Sequence, residues 1–243
     1  MEEISLKAQE LFSIGNFGVT NGLFLAVTVS LILIIFSVLF RSKIRIVPGK
    51  IQGVIEMGVE ALLNLMHSVL GSREAAEKYL PLIATIFIFI LASNWLGLLP
   101  GVGSFVFENG HTGVPLLRSP AADLNFTLAL AIIAVFATNF FGIAMLGASK
   151  HIKKFLNFSS PLNFFVGMLE FVSELARIIS FSFRLFGNIF AGEVLLAVMF
   201  LLLPYIVPVP FLAMEIFVGA IQAFIFAMLT LVFLASHTAK IEH

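Results

Sequence analysis

The sequence contains no cysteine. That excludes disulfides, thiolate nucleophiles and cysteine-ligated metals. Charge is scarce too: Asp, Glu, Lys and Arg make up 12% of the residues, where soluble globular chains carry about 25%. Lys+Arg and Asp+Glu each number 14, so the formal net charge is zero, and the basic stripe that nucleic acid requires is missing. The five histidines are scattered, with no His-x-x-x-His pair, and give a zinc or haem site little support. Neither a metal nor a cofactor is expected. No internal repeat or low-complexity tract interrupts the chain.

What remains is apolar. Hydrophobic residues make up 60% of the chain, 28 of them Phe, and the mean hydropathy is +1.07. The solvent for most of this protein is lipid. Glu2, Glu3 and Glu10 stand where a secretory signal carries basic residues. The first apolar run stops against Arg41, Lys43 and Arg45, as a retained membrane span does.

Five apolar segments are long enough to cross a hydrocarbon core of ~30 Å at 1.5 Å per residue. They run over about 21–40, 79–99, 125–148, 161–203 and 211–236, the second ending at Pro100-Gly101. Between the first two, over about 51–70, Ile51, Ile55, Met57, Val59, Leu62, Leu63 and Met66 recur near helical spacing with Glu56, Glu60 and His67 among them. This is an amphipathic helix, lying in the membrane interface or packed on protein at the cytoplasmic face. The fold class is an all-α polytopic membrane protein: a short outer segment 1–20, one membrane domain 21–238 and an inner tail 239–243.

Positive charge sets the orientation. Arg41, Lys43, Arg45, Lys50, Arg73 and Lys78 fall in the first loop, Lys150, Lys153 and Lys154 in the third, and Lys240 in the tail. The alternate side holds only Lys7 and Arg118. The amino terminus is therefore expected outside and the carboxyl terminus in the cytoplasm.

The fourth segment is unusual. Ser160-Pro161 makes a cap and first-turn pair, and no proline follows until Pro204. A continuous helix of about 43 residues spans roughly 65 Å, twice the core thickness. It must either incline steeply or break near Gly187. Pro204, Pro208 and Pro210 form the connection to the fifth segment. Two long inclined helices packed as a hairpin would follow the curved side of a cylindrical partner.

These two segments also carry Glu170, Glu174, Arg177, Arg184, Glu193 and Glu215. A charge at the bilayer centre costs about 2.5–3.5 kcal/mol on insertion scales, so each needs a partner, water or a function. Glu170, Glu174 and Arg177 have the spacing of an ion-pair cluster. Arg184 and Asn188 lie near one face, whereas Glu193, nine residues beyond Arg184, points the opposite way. Glu215 and Gln222 share a face of the last segment. The expected construction sets Glu193 against Glu215 across the hairpin and leaves Arg184 to face something else. Two carboxylates held together titrate as a coupled pair; an arginine stays charged in any such setting. The alternative reading makes Glu193 and Glu215 buried, hydrogen-bonded structural acids. Gly187, Ala191, Gly192, Gly219, Ala220 and Ala223 permit close backbone approach, most of it ordinary packing.

Arg184-Leu-Phe-Gly-Asn188-Ile-Phe-Ala-Gly-Glu193 resembles the signature of the subunit a family of F-type rotary ATP synthases. Gln222-Ala-Phe-Ile-Phe with Leu229-Thr-Leu-Val-Phe is similar to the family's final helix. Pro120-Ala-Ala-Asp123-Leu-Asn125-Phe-Thr127 is similar to its outer segment, and Asn94 with Leu98-Leu99-Pro100 to the end of its second span. The resemblance implies a non-catalytic, proton-translocating stator in the inner membrane of a bacterium. Its partners would be the c-ring, whose carboxylate Arg184 would face, and the peripheral-stalk subunit b. Asn188, Glu193, Glu215 and Gln222 would line an outer half-channel; Glu170, with Ser180 alongside, would belong to an inner one. Glu215 stands where some relatives carry His, and Gly97 where some carry an acid. A self-contained transporter or a non-conducting scaffold is the competing reading; five spans without a repeat fit the transporter poorly. An intramembrane hydrolase lacks a catalytic pair, since Ser180 and Ser182 have no His nearby in the sequence.

Overall fold

The computed structural model describes residues 9–15, 17–99, 106–109, 112–147, 160–203 and 206–238. The charges Lys7, Lys150, Lys153, Lys154 and Lys240, the Pro100-Gly101 pair, Pro204 and the tail 239–243 lie outside the described residues.

Among the described residues six long helices carry the architecture: α1 (Asn21–Arg41), α2 (Lys50–Leu70), α3 (Arg73–Gly97), α4 (Leu124–Leu146), α5 (Pro161–Leu202) and α6 (Pro208–Thr238). All six are long and apolar enough to cross a membrane, α2 being the least apolar. The protein is an all-α polytopic membrane protein. Two antiparallel hairpins, β1 (Glu10–Ile14) with β2 (Phe17–Thr20) and β3 (Val106–Asn109) with β4 (Thr112–Pro115), were not anticipated. Strands of four or five residues leave no alternation long enough to read.

Local chemistry sets the helix ends. Thr20 Oγ1 accepts from Leu23 N at the start of α1, and Ser72 Oγ from Ala75 N at the start of α3. The Ser72 cap starts α3 at Arg73, six residues before the expected Tyr79, and the helix runs through Pro81. Gly71, with φ of 75°, ends α2 in the left-handed conformation that glycine adopts without strain. Asp123 caps α4 through the Asn125 N–H, and Pro161 occupies the first turn of α5. Pro208 and Pro210, assigned from sequence to the connection, instead form the first turn of α6, where a missing N–H costs nothing.

The α5 helix is continuous. Its 42 residues span about 63 Å at 1.5 Å per residue, and the break considered at Gly187 does not occur. A rod of that length fits within one bilayer only if it inclines.

α3 packs along α6, and α4 along both α5 and α6. The core holds Ile83, Ile86 and Ile90 of α3 with Ala223, Phe226, Ala227, Leu231 and Leu234 of α6. The Phe181 ring of α5 lies 5.0 Å from Phe226 and 5.6 Å from Phe233. Thr127 and Ser182 share a buried hydrogen bond of 3.0 Å between α4 and α5. Outward faces are apolar as well: Ile34, Ile35, Phe36, Val38 and Leu39 of α1 and Leu162, Phe165 and Phe171 of α5 are exposed, as lipid contact requires. α2 turns Leu63 and Met66 inward, while Arg73 ties the α2–α3 turn together through Glu60, Asn64 and Glu77.

Candidate functional site

The uncommon charges of α5 and α6 separate into three places. The first is the outer face of α5. Ser180, Phe183, Arg184, Gly187, Asn188 and Ala191 are all exposed and recur every three or four residues, so they form one stripe. The Arg184 guanidinium makes a single bond, from Nη2 to Ser180 Oγ at 3.3 Å. Among the described residues no carboxylate lies within salt-bridge reach of it. Asn188 stands on this stripe with Arg184, away from the acids it was grouped with.

The second place is on the opposite face of α5, where Leu185, Ile189, Gly192 and Leu196 are buried. Glu193 meets Arg118 there. Arg118 Nε donates to Glu193 Oε1 and Oε2 at 3.0 and 3.2 Å, and Nη2 donates to Oε2 at 3.0 Å. Glu215 is 3% exposed, and its carboxylate rests on Gly192, where an added Cβ would overlap it. So the expected pairing of Glu193 with Glu215 is replaced: the two acids converge on neighbouring residues of α5, but Glu193 is engaged by Arg118. The physical reason is charge, since a guanidinium fork binds a carboxylate where a second carboxylate repels it. Gln222 is buried two turns along α6 from Glu215.

α3 closes this region. Asn94 Nδ2 donates to Gly219 O at 3.1 Å and Trp95 Nε1 to Ile216 O at 3.0 Å, which stitches α3 to α6 beside Glu215. Gly97 packs directly on Ser119, where an added Cβ would approach the Ser119 Cβ to 2.7 Å and its Cα to 2.9 Å. The oxygens Asn94 Oδ1, Ser93 Oγ and Ser119 Oγ are buried with no hydrogen-bond partner among the described residues. Buried polar groups in this condition normally hold water.

Among the described residues, then, Arg184 has no carboxylate partner, and the acids Glu193 and Glu215 lie together on the opposite face of the helix. The family model of the ATP synthase A chain matches residues 23–235. The chain belongs to that family. It is 38% identical over 218 residues to ATP synthase subunit a of Campylobacter concisus, covering 88% of each chain. The Campylobacter curvus protein of the same name is 38% identical over 215 residues, with 88% of this chain and 89% of that one covered. The subunit a of Campylobacter jejuni (strain RM1221) is 37% identical over 217 residues, with 88% of each covered.

The third place in this family member lies at the other end of the bundle, where α5, α6 and α4 meet. Arg177 Nη1 donates to Glu174 Oε1 and Arg177 Nη2 lies 3.9 Å from Glu170 Oε1, so the expected ion-pair cluster forms. It is wider than expected. His237 Nε2 is 2.9 Å from Glu174 Oε1, Asn139 Nδ2 donates to Glu174 Oε2 at 3.4 Å, and the Arg177 guanidinium lies 4.2 Å from the Phe233 ring centroid. Glu170, Glu174 and His237 have the spacing of a metal-ligand set, but the Arg177 charge on Glu174 competes with any cation. Ser180 is not in this cluster; it serves Arg184.

Sequence reasoning missed Arg118, His237 and Asn139. Arg118 was read only as a loop charge, although a lone cation on the side with so few was a signal. His237 and Asn139 carried none, because nothing local says that the last turn of α6 reaches Glu174.

Proposed function

We propose that this chain is the membrane stator of a rotary ATP synthase, conducting protons to and from a ring of carboxylate-bearing helices while catalysing nothing itself. Arg184 carries the reading. A permanent cation half-way along a membrane helix, turned away from its own bundle, needs a counter-charge from another subunit. The exposed Gly187 and Ala191 beside it allow a neighbouring helix to come close. A rotor carboxylate passing that stripe meets the guanidinium and is held ionised, so it releases its proton before Arg184 and takes another after it.

Protons enter from outside through the region of Glu193, Glu215 and Gln222, with Asn188 at its boundary with the ring. The orphan oxygens of Ser93, Asn94 and Ser119 support a water path there. Glu170 and Ser180 belong to the inner exit, on the far side of Arg184. The two paths are offset, and only rotation joins them. One charge crossing 100 mV yields about 2.3 kcal/mol, so several steps of the ring are summed for each ATP. The amino terminus faces outward and the carboxyl terminus the cytoplasm of a bacterial inner membrane, with a peripheral-stalk subunit b holding the chain against the torque.

Arg184→Ala tests the reading. The complex is expected to assemble, as judged by membrane-bound ATPase, yet to lose both ATP-driven proton pumping and gradient-driven synthesis in vesicles. Coupled transport at near-normal rates would remove Arg184 from the mechanism.

A further inference from the structure

α1 has 21 residues and spans about 31 Å, the thickness of one hydrocarbon core. Its last residue, Arg41, therefore stands at a membrane edge, where the chain turns into α2. This elbow carries Arg41, Lys43, Arg45 and Lys50, all of them exposed. No Asp or Glu occurs between Glu10 and Glu56. Among the described residues none of the four cations makes an ion pair, whereas Arg73, Arg118 and Arg177 each hold a carboxylate. Their counter-charge has to come from outside the chain.

The elbow is held in shape. Arg45 N donates to Gln52 Oε1 at 3.0 Å, and Gln52 Nε2 donates to Arg45 O at 2.8 Å and to Glu56 Oε1 at 2.7 Å. Gln52 is buried, so the clamp fixes the turn and draws Glu56, the nearest acid in sequence, toward itself. Lys43 N donates to Phe40 O at 2.9 Å and Ser42 Oγ to Leu39 O at 2.8 Å. α2 opens at Gly49 with no side-chain cap and no acid in its first turn. Its first N–H groups add to the pull on an anion.

The apolar residues of the elbow choose among anions. Ile44, Ile46 and Val47 are interleaved with the cations and exposed, Ile46 fully and Val47 by 80%. Exposed apolar residues continue on both sides, Phe36 and Leu39 along α1 and Ile51 and Val54 along α2. Inorganic phosphate would leave these side chains in water, and an acidic protein surface would set them against polar groups. A phospholipid meets both demands, with phosphate against the cations and acyl chains against the apolar residues.

We propose that the α1–α2 elbow is a binding site for anionic phospholipid, with the phosphodiester held by Arg41, Lys43, Arg45, Lys50 and the first turn of α2, and the acyl chains receiving Ile44, Ile46 and Val47. Bound lipid supplies the counter-charge that the chain lacks and pins this corner of the subunit at one depth.

The test uses the complete ATP synthase complex in phosphatidylcholine vesicles with a trace of photoactivatable phosphatidylglycerol, and peptides covering residues 41–54 are assayed for attached lipid. Label is expected there, displaced by unlabelled phosphatidylglycerol but not by added phosphatidylcholine or inorganic phosphate. Each basic residue at an anionic surface contributes about fivefold in affinity, so Lys43→Gln/Arg45→Gln should weaken phosphatidylglycerol binding about 25-fold. Arg41, Lys50, Arg73 and Lys78 remain in that variant to keep the orientation, and membrane-bound ATPase reports assembly. If it does not assemble, Lys43→Gln alone, expected to lose about fivefold, decides in its place. Lys43→Arg/Arg45→Lys preserves the charge and should bind as the parent does. Ile46→Ser/Val47→Ser leaves every cation in place and should still lower the labelling, which a site for free phosphate would not show.

Equal labelling by phosphatidylcholine and phosphatidylglycerol probes would overturn the proposal, as would labelling unchanged by the loss of Lys43 and Arg45. Displacement by inorganic phosphate would make this a free-anion site instead. A crosslink from residues 41–50 to an acidic segment of another subunit, with no lipid attached, would give the elbow to a protein partner.

Discussion

Gly192→Ala is the sharpest probe of the site, because the three heavy atoms nearest a methyl group there all belong to the carboxylate of Glu215. To restore an ordinary contact of about 3.5 Å, the carboxylate must retreat by more than about 1 Å. The carboxylate is the far end of a flexible chain, so the side chain yields before the backbone, at a cost of about 0.5–1.5 kcal/mol for an off-rotamer torsion. Alanine in place of glycine within a helix returns up to about 1 kcal/mol. The two terms nearly cancel, and stability should hardly move. Function should move much more, since a misplacement of about 1 Å in a proton-transfer geometry costs on the order of 100-fold. ATP-driven pumping in vesicles, normalised to assembled complex, reads this directly. Glu215→Asp in the same chain draws the carboxylate back by about 1.5 Å, one C–C bond, and should recover part of the loss. An assembled Gly192→Ala complex pumping at the parental rate would refute the claim that the Glu215 carboxylate is confined against α5.

Gly97→Ala tests the seam between α3 and the segment at Ser119. Its Cβ would meet backbone as well as side chain, so the seam must open, and a destabilisation of about 1–3 kcal/mol is expected as a lower midpoint of denaturant unfolding in detergent. His237→Ala removes a partner of Glu174 and loosens the last turn of α6; a loss of about 1–2 kcal/mol is expected on the same assay, the upper range of interhelical bonds in membranes.

Helix number, type and approximate extent were legible because each span is a long apolar run bounded by charge, cap or proline. Pro161 announced the start of α5 because a proline suits a helix's first turn, although the Ser160 side chain makes no cap bond there. The opposition of Arg184 and Glu193 was legible too, since nine residues at 100° each leave them on opposite faces of any straight helix. What sequence could not supply was the partner across space. Arg118 is 75 residues from Glu193, and His237 is 63 from Glu174. Helical periodicity says which way a side chain points, not what has folded up against it. The contact of Gly97 with Ser119 was hidden for the same reason. That contact also gives a physical account of this position: glycine is what the seam admits here, and an acid would need a wider one.

The unbroken α5 also behaves as a lever. Arg184 lies about 4 Å from the midpoint of a rod some 63 Å long, while each end is about 32 Å away. If the rod rocks by one degree about its centre under torque, its tips shift by about 0.5 Å and Arg184 by less than about 0.1 Å. The residue with the strictest alignment to keep thus sits near the fulcrum, and thermal rocking is spent at the ends.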